Sequence, residues 1–183
     1  MKRIKSALSL AAPLTLWLLV SVFVWGFVFL QITDAPREEK LVLSVDAPLR
    51  DETALAARLE EKMGGRVRMV KARAFTFAMF DAKELTSSDL FVVPASHAEE
   101  YRDWFMPLPE EFRAGDGLLC WDGEPWGVPV RGAAGEYILY AAPGAEEEAY
   151  YLFFGKASLH VSGLENAVDD EAVSAARRFL ALP

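Results

Sequence analysis

The sequence has one cysteine in 183 residues, and only two histidines. One thiol cannot close an intrachain disulfide, which excludes a disulfide-stapled scaffold. The same scarcity removes cysteine-rich zinc and iron–sulfur sites, and neither a metal nor a cofactor is expected. Positive charge is also short. Lys and Arg number 19 against 27 Asp and Glu, a net charge of −8. Nucleic acid, which binds to basic faces, is therefore not expected as a partner. Signature motifs are missing as well. Gly155-Lys156 lacks the upstream glycine of a phosphate loop, because Tyr150 stands there. There is no G-x-G-x-x-G, H-E-x-x-H, EF-hand loop or G-x-S-x-G elbow. What the chain has in quantity is apolar: 52% hydrophobic residues with 25% charged, the composition of a folded chain rather than a disordered one.

That apolar content is concentrated at the start. No charge occurs between Lys5 and Asp34, that is, over positions 6–33. About 20 apolar residues in a helix cross a hydrocarbon core of roughly 30 Å, and in lipid the backbone must satisfy itself internally. The run therefore reads as a single transmembrane helix, with residues 8–32 in the bilayer. Pro13 falls near its start, where a missing N–H costs least. Lys2, Arg3 and Lys5 precede it, which places the N-terminus in the cytoplasm and the rest outside. The remainder carries 16 Lys and Arg against the 27 acids. A cleaved signal peptide fits less well: the apolar core is long, and Leu30 to Ala35 offers a poor cleavage site. The expected organisation is a basic stub and signal anchor over 1–33, a polar tether over 34–40, and an outer domain over 41–183.

The outer domain opens with Leu41-Val42-Leu43-Ser44-Val45-Asp46, a buried-strand pattern. Asp51 is placed to cap a helix whose face is Leu55, Leu59 and Met63, and Gly64-Gly65 ends it. Arg66 to Ala72 alternates as a second strand. Strand, helix and strand with short connections make a βαβ unit. Asp89 to Pro94 reads as a third buried strand. Ser96 is placed to cap a short helix holding Tyr101 and Trp104. Leu118–Trp121 and Trp126–Val130 read as a hairpin, with Asp122-Gly123-Glu124-Pro125 as the turn between them. Tyr137–Ala141 and Tyr150–Phe154 are further strand-like runs, and a helix over about 169–180 closes the chain with Val173, Ala176 and Leu180 inward. The fold class is α/β: a small, partly parallel sheet with flanking helices, preceded by one transmembrane helix.

Few residues carry chemistry. Either Asp46 and His97 fall together at the carboxyl ends of neighbouring parallel strands, the crevice where open α/β sheets bind ligands, or His97 merely sits exposed in the first turn of the helix after the third strand. Lys156, Ser158 and His160 alternate as one solvated strand face; a Ser–His pair two apart on a strand does not make a nucleophile–base bond. Trp104, Trp121 and Trp126 are either core residues or stacking faces for a flat or sugar ligand. Asp46 and Asp89 do not form a hydrolytic pair, because one ends a strand and the other precedes one.

Three segments resemble one lobe of a type 2 periplasmic (extracellular) solute-binding protein. They are Leu41-Val42-Leu43-Ser44-Val45, Ser88-Asp89-Leu90-Phe91-Val92-Val93, and Met106-Pro107-Leu108-Pro109 followed by Asp122-Gly123-Glu124-Pro125-Trp126-Gly127-Val128-Pro129-Val130. The likeness spans roughly residues 41–131. About 50 residues follow Val130, too few for a second lobe. The resemblance implies a truncated, anchored lobe with ligand contacts at Asp46, Ser96, His97, Trp126 and Arg131. With no assembled catalytic constellation, the expectation is a non-enzymatic, membrane-anchored binding or sensing module for a small solute such as a sugar. The alternative is an accessory subunit packing against another envelope or transporter protein, its aromatic residues serving as anchors.

Overall fold

A computed structural model describes residues 2–61, 63–75, 87–130 and 148–181, and within the first helix the side chains of 13–28. The strand-like run Tyr137–Ala141, Arg131 and residues 76–80 lie outside the described residues. The chain divides into two compact units, Met1–Pro36 and Arg37–Pro183.

The first unit holds α1, Lys2–Thr33, with Pro13 inside it. Among the described residues no helix is long and apolar enough to cross a membrane. The described side chains of α1 are nonetheless apolar and open: Leu14, Trp17, Phe23 and Trp25 are 61%, 72%, 77% and 72% exposed.

The second unit is a mixed α/β domain. In chain order its strands are β1 (Lys40–Val45), β2 (Met69–Ala74), β3 (Leu90–Pro94), β4 (Phe105–Met106), β5 (Leu119–Trp121), β6 (Glu124–Pro129) and β7 (Tyr150–Gly155). Its helices are α2 (Glu52–Glu60) and α3 (Glu171–Leu180). The sheet order is β2-β1-β3-β7-β6-β5, with β4 pairing β7 off that path. β1 runs parallel to both β2 and β3, while β7 is antiparallel to β3, β4 and β6. The expected βαβ unit is present, and the sheet is only partly parallel.

Residue chemistry accounts for these elements. β1 and β3 are buried almost throughout, as continuous apolar runs must be when both sheet faces are covered. On one face, Leu41, Leu43, Val45, Leu90, Val92, Leu152 and Phe154 pack with Leu55 and Leu59 of α2 and Ala172, Val173, Ala176 and Phe179 of α3. Burying each large side chain there contributes roughly 1.5–3 kcal/mol. On the other face Phe91, Val93 and Phe153 pack with Tyr101 and Phe105, bordered by Trp104, Trp121 and Trp126.

Local signals set the ends. The Asp51 carboxylate accepts from Ala54 N–H at 2.8 Å and starts α2. Asp122 and Gly123 both take positive φ, 54° and 83°, the backbone that a two-residue turn between β5 and β6 needs. α3 starts at Glu171, because Asp169 and Asp170 are used differently: Asp170 Oδ1 accepts from Ser162 N–H, and Asp169 Oδ1 accepts from Glu171 N–H. The helix expected after Ser96 is instead a run of turns ending in a 3-10 segment, Arg102–Trp104. Its bonds from Glu100 N–H to His97 C=O and from Trp104 N–H to Tyr101 C=O span three residues, the tighter winding.

The largest local departure is at Ser158 and His160. The solvated strand face is not there: β7 stops at Gly155, and both residues are buried, at 2% and 0% exposure. Ser158 O–H donates to Asp89 Oδ1 at 2.7 Å, and Asp89 Oδ2 accepts from Val42 N–H at 2.8 Å. His160 lies 2.7 Å from Asp169 Oδ1 through Nδ1 and 3.1 Å from the Lys40 carbonyl through Nε2. The ring thus lies between two acceptors, one on each side. This buried network ties the entry to β1, the loop after β7 and the start of α3 together.

Candidate functional site

Two adjacent parallel strands end together on one edge of the sheet, and the polar groups there make the candidate site. Val45 pairs with Val92, and Asp46 N–H donates to Val92 C=O at 2.8 Å, one step past the end of β1. β3 ends at Pro94, which cannot continue a ladder as donor. The chain then turns back, His97 N–H donating to Pro94 C=O. This return brings His97 over Asp46.

His97 Nδ1 lies 2.7 Å from Asp46 Oδ2. The Asp46 side chain is 6% exposed and that of His97 48% exposed. A carboxylate accepts, so Nδ1 carries the proton and Nε2 is the nitrogen left for the open side. Tyr101 O–H donates to the same Asp46 oxygen at 3.3 Å. The hydrogen bond from Asp46 raises the His97 pKa above its ordinary value; desolvation opposes this, and the charges of Asp46, Glu100 and Glu148 add to it. Burial, followed by the charge of Asp46, pushes the Tyr101 phenol well above its usual range. Ser96, next along, donates its hydroxyl to Glu148 Oε1. The site is therefore a buried carboxylate orienting a half-exposed imidazole, with a hydroxyl–carboxylate pair on its flank.

Of the five residues singled out from the sequence, the structure brings Asp46 and His97 into contact and puts Ser96 beside them. Trp126 does not join. The register runs Val45, Val92, Leu152, Val128 across β1, β3, β7 and β6. Trp126 thus sits three strand steps, about 14 Å, across and about 10 Å along from Asp46, out of reach of one small ligand that also touches Asp46. It packs against Trp121 at 5.3 Å, with the Arg102 guanidinium 5.5 Å from its ring. Arg131 lies outside the described residues. Sequence reasoning missed Tyr101 and Glu148. Tyr101 had a signal in its i, i+4 spacing from His97; Glu148, 51 positions away, had none. Among the described residues no group of three or more His, Cys, Asp or Glu side chains is arranged to hold a metal ion.

No family model and no curated protein matches the sequence. Among solved structures the chain is similar to thiaminase I from Bacillus thiaminolyticus, at 16% identity and a TM-score of 0.34. The match covers 49% of this chain and 28% of that one, so the chain spans little more than a quarter of that protein. The resemblance to a solute-binding lobe read from the sequence is met by no sequence family, and at the level of fold only by this weak neighbour. That neighbour is an enzyme, and the expectation of a non-enzymatic module is withdrawn on this finding. A likeness of this size assigns no activity and names no site residue.

Proposed function

We propose that the chain is a membrane-anchored, extracytoplasmic module. Its α/β domain binds a small solute in the crevice at the carboxyl ends of β1 and β3. One observation carries the reading of the crevice: His97, half exposed, is held at 2.7 Å by the buried Asp46 carboxylate. A side chain fixed by a partner it does not share with solvent is pre-organised for a ligand, because its rotamer freedom has already been given up. The anchor rests on the charge-free run over positions 6–33, on its continuity as the single helix α1, and on the exposed apolar side chains from Leu14 to Phe27. The basic residues before it set the orientation.

The test is a thermal-shift screen of the full chain in detergent against sugars, amino acids and peptides. A solute that binds the folded state raises the melting temperature by mass action. The expected result is a rise with one solute class that His97→Ala removes while leaving the unliganded melting point within a few degrees. A rise that survives in His97→Ala rejects this crevice. If no class shifts the protein, the accessory-subunit reading gains. The partly buried Trp121 and Trp126, with the Arg102 guanidinium 5.3 Å and 5.5 Å from their rings, carry that reading. They are the residue types that anchor protein interfaces.

A further inference from the structure

Resting on the reading of this crevice as a solute site, we propose that it takes a neutral, oxygen-rich solute of the sugar or polyol class. A hydroxyl oxygen of the solute sits on His97 Nε2–H, and the site holds it less tightly once the imidazolium loses its proton.

The argument starts from which ring nitrogen is committed. Nδ1 is bound to Asp46 Oδ2 at 2.7 Å, and Tyr101 O–H also donates to that oxygen. Turning the ring over would break the first bond. A carboxylate only accepts, so the proton on Nδ1 stays in both charge states. All the titration is therefore expressed at Nε2, on the exposed side. In the imidazolium Nε2–H is a donor; in the neutral ring Nε2 is a lone pair. A solute hydroxyl seated on the donor thus exchanges a charge-assisted bond from Nε2–H for a weaker neutral bond to the Nε2 lone pair after a single deprotonation.

The neighbouring charges select the solute. The groups that act on His97 are Asp46 from the end of β1, Glu100 from its own turn and Glu148 from the segment before β7. Tyr101 stays protonated, since its phenol is held high by burial and by Asp46. Three carboxylates against one imidazolium penalise a carboxylate or phosphate arriving at Nε2. A hydroxyl or carbonyl oxygen carries no such penalty. Ser96 and Glu148, hydrogen-bonded to one another, add acceptor oxygens for the hydroxyl hydrogens that a polyol would bring. These carboxylates and the Asp46 bond also raise the pKa of His97, which keeps the donor form present near neutral pH.

The experiment measures binding to the full chain in detergent by calorimetry, at about pH 6 and about pH 9, on either side of the ordinary histidine range. The probes are glucose, galactose, mannose and sorbitol, with glucuronate and glucosamine as the anionic and cationic counterparts. The expected result is binding of a neutral probe that weakens by about ten-fold at the higher pH, the difference between a charge-assisted and a neutral hydrogen bond, with glucuronate weaker throughout. His97→Gln supplies an N–H donor that carries no charge and does not titrate, so its binding is expected to be weaker than wild type at about pH 6 and flat with pH. Preference for glucuronate or for glucosamine, or unchanged affinity at the two pH values, overturns the inference while the solute site stands. So does a pH dependence that survives in His97→Gln. No binding by any probe overturns the inference and leaves the solute reading to the wider screen, whereas binding that persists in His97→Ala overturns both.

Discussion

Asp89 has the most demanding environment of any single residue in the domain. It is 2% exposed and accepts from Val42 N–H and Ser158 O–H through separate oxygens. Desolvation raises its pKa. Ser158, Val42, His160 and Arg37 pull it down, but not enough to cancel that burial. The sign follows from linkage. A carboxyl with a raised folded-state pKa binds more protons folded than unfolded, so its contribution to stability falls as pH rises from the unfolded value, about 3.9, through the raised one. The charged form is therefore tolerated for its two hydrogen bonds. Asp89→Ala leaves two buried donors without an acceptor, at about 1–3 kcal/mol each. The expected loss is about 2–6 kcal/mol at pH 7 in urea unfolding, with a larger loss at pH 4, where the folded carboxyl holds a proton more fully than the unfolded chain does. A loss under about 0.5 kcal/mol at pH 7 would mean that the network relaxes or admits water.

At the scale of elements, the junction of β3 and β7 depends on a close backbone approach. Gly155 ends β7, its N–H donating to Asp89 C=O at 2.9 Å. A Cβ built there would lie 2.3 Å from the Ser88 carbonyl oxygen and 3.0 Å from the Phe91 ring. Backbone cannot step aside as the end of a flexible side chain does. Gly155→Ala is expected to cost about 1–3 kcal/mol as overpacking, read as a lower urea midpoint at unchanged slope. Gly123→Ala makes the contrast. No atom lies within 4 Å of that Cβ, and its strain comes only from a φ of 83°.

These same elements show how far the sequence could be read. Period and punctuation located β1, α2, β3, the β5–β6 hairpin, β7 and α3, because each carries its own apolar pattern or turn residues. The strand ends placed Asp46 and His97 on one edge, since two parallel strands fixed both ends. The fate of Ser158 and His160 was not legible. Their alternation fits a solvated strand, but Gly155 stops the strand, and Asp89 and Asp169, 69 and 9 positions from their partners, draw the pair inward. Trp126 was misplaced for a related reason: the order of β7 and β6 beyond β3 decides its distance from Asp46, and no local pattern encodes that order.

For the whole molecule, the question is which side of a membrane the α/β domain faces. The chain itself carries the probe. Cys120 is the single cysteine and is exposed, so a maleimide can reach it in the folded protein. In the proposed topology three basic residues before an uncharged run of this length direct the N-terminus inward, which would put everything after α1, Cys120 included, outside. A membrane-impermeant maleimide is therefore expected to modify the chain in intact cells as fully as in lysed ones, and Cys120→Ser to abolish the signal. The labelled chain should stay with the membrane pellet through alkaline carbonate, as a helix satisfying its own backbone in lipid does. Labelling that needs lysis reverses the orientation and removes the solute reading with it, because the crevice at Asp46 and His97 would then face the cytoplasm. Release by carbonate with labelling intact would instead keep the domain outside and take away the anchor, so the two halves of the proposal fail separately.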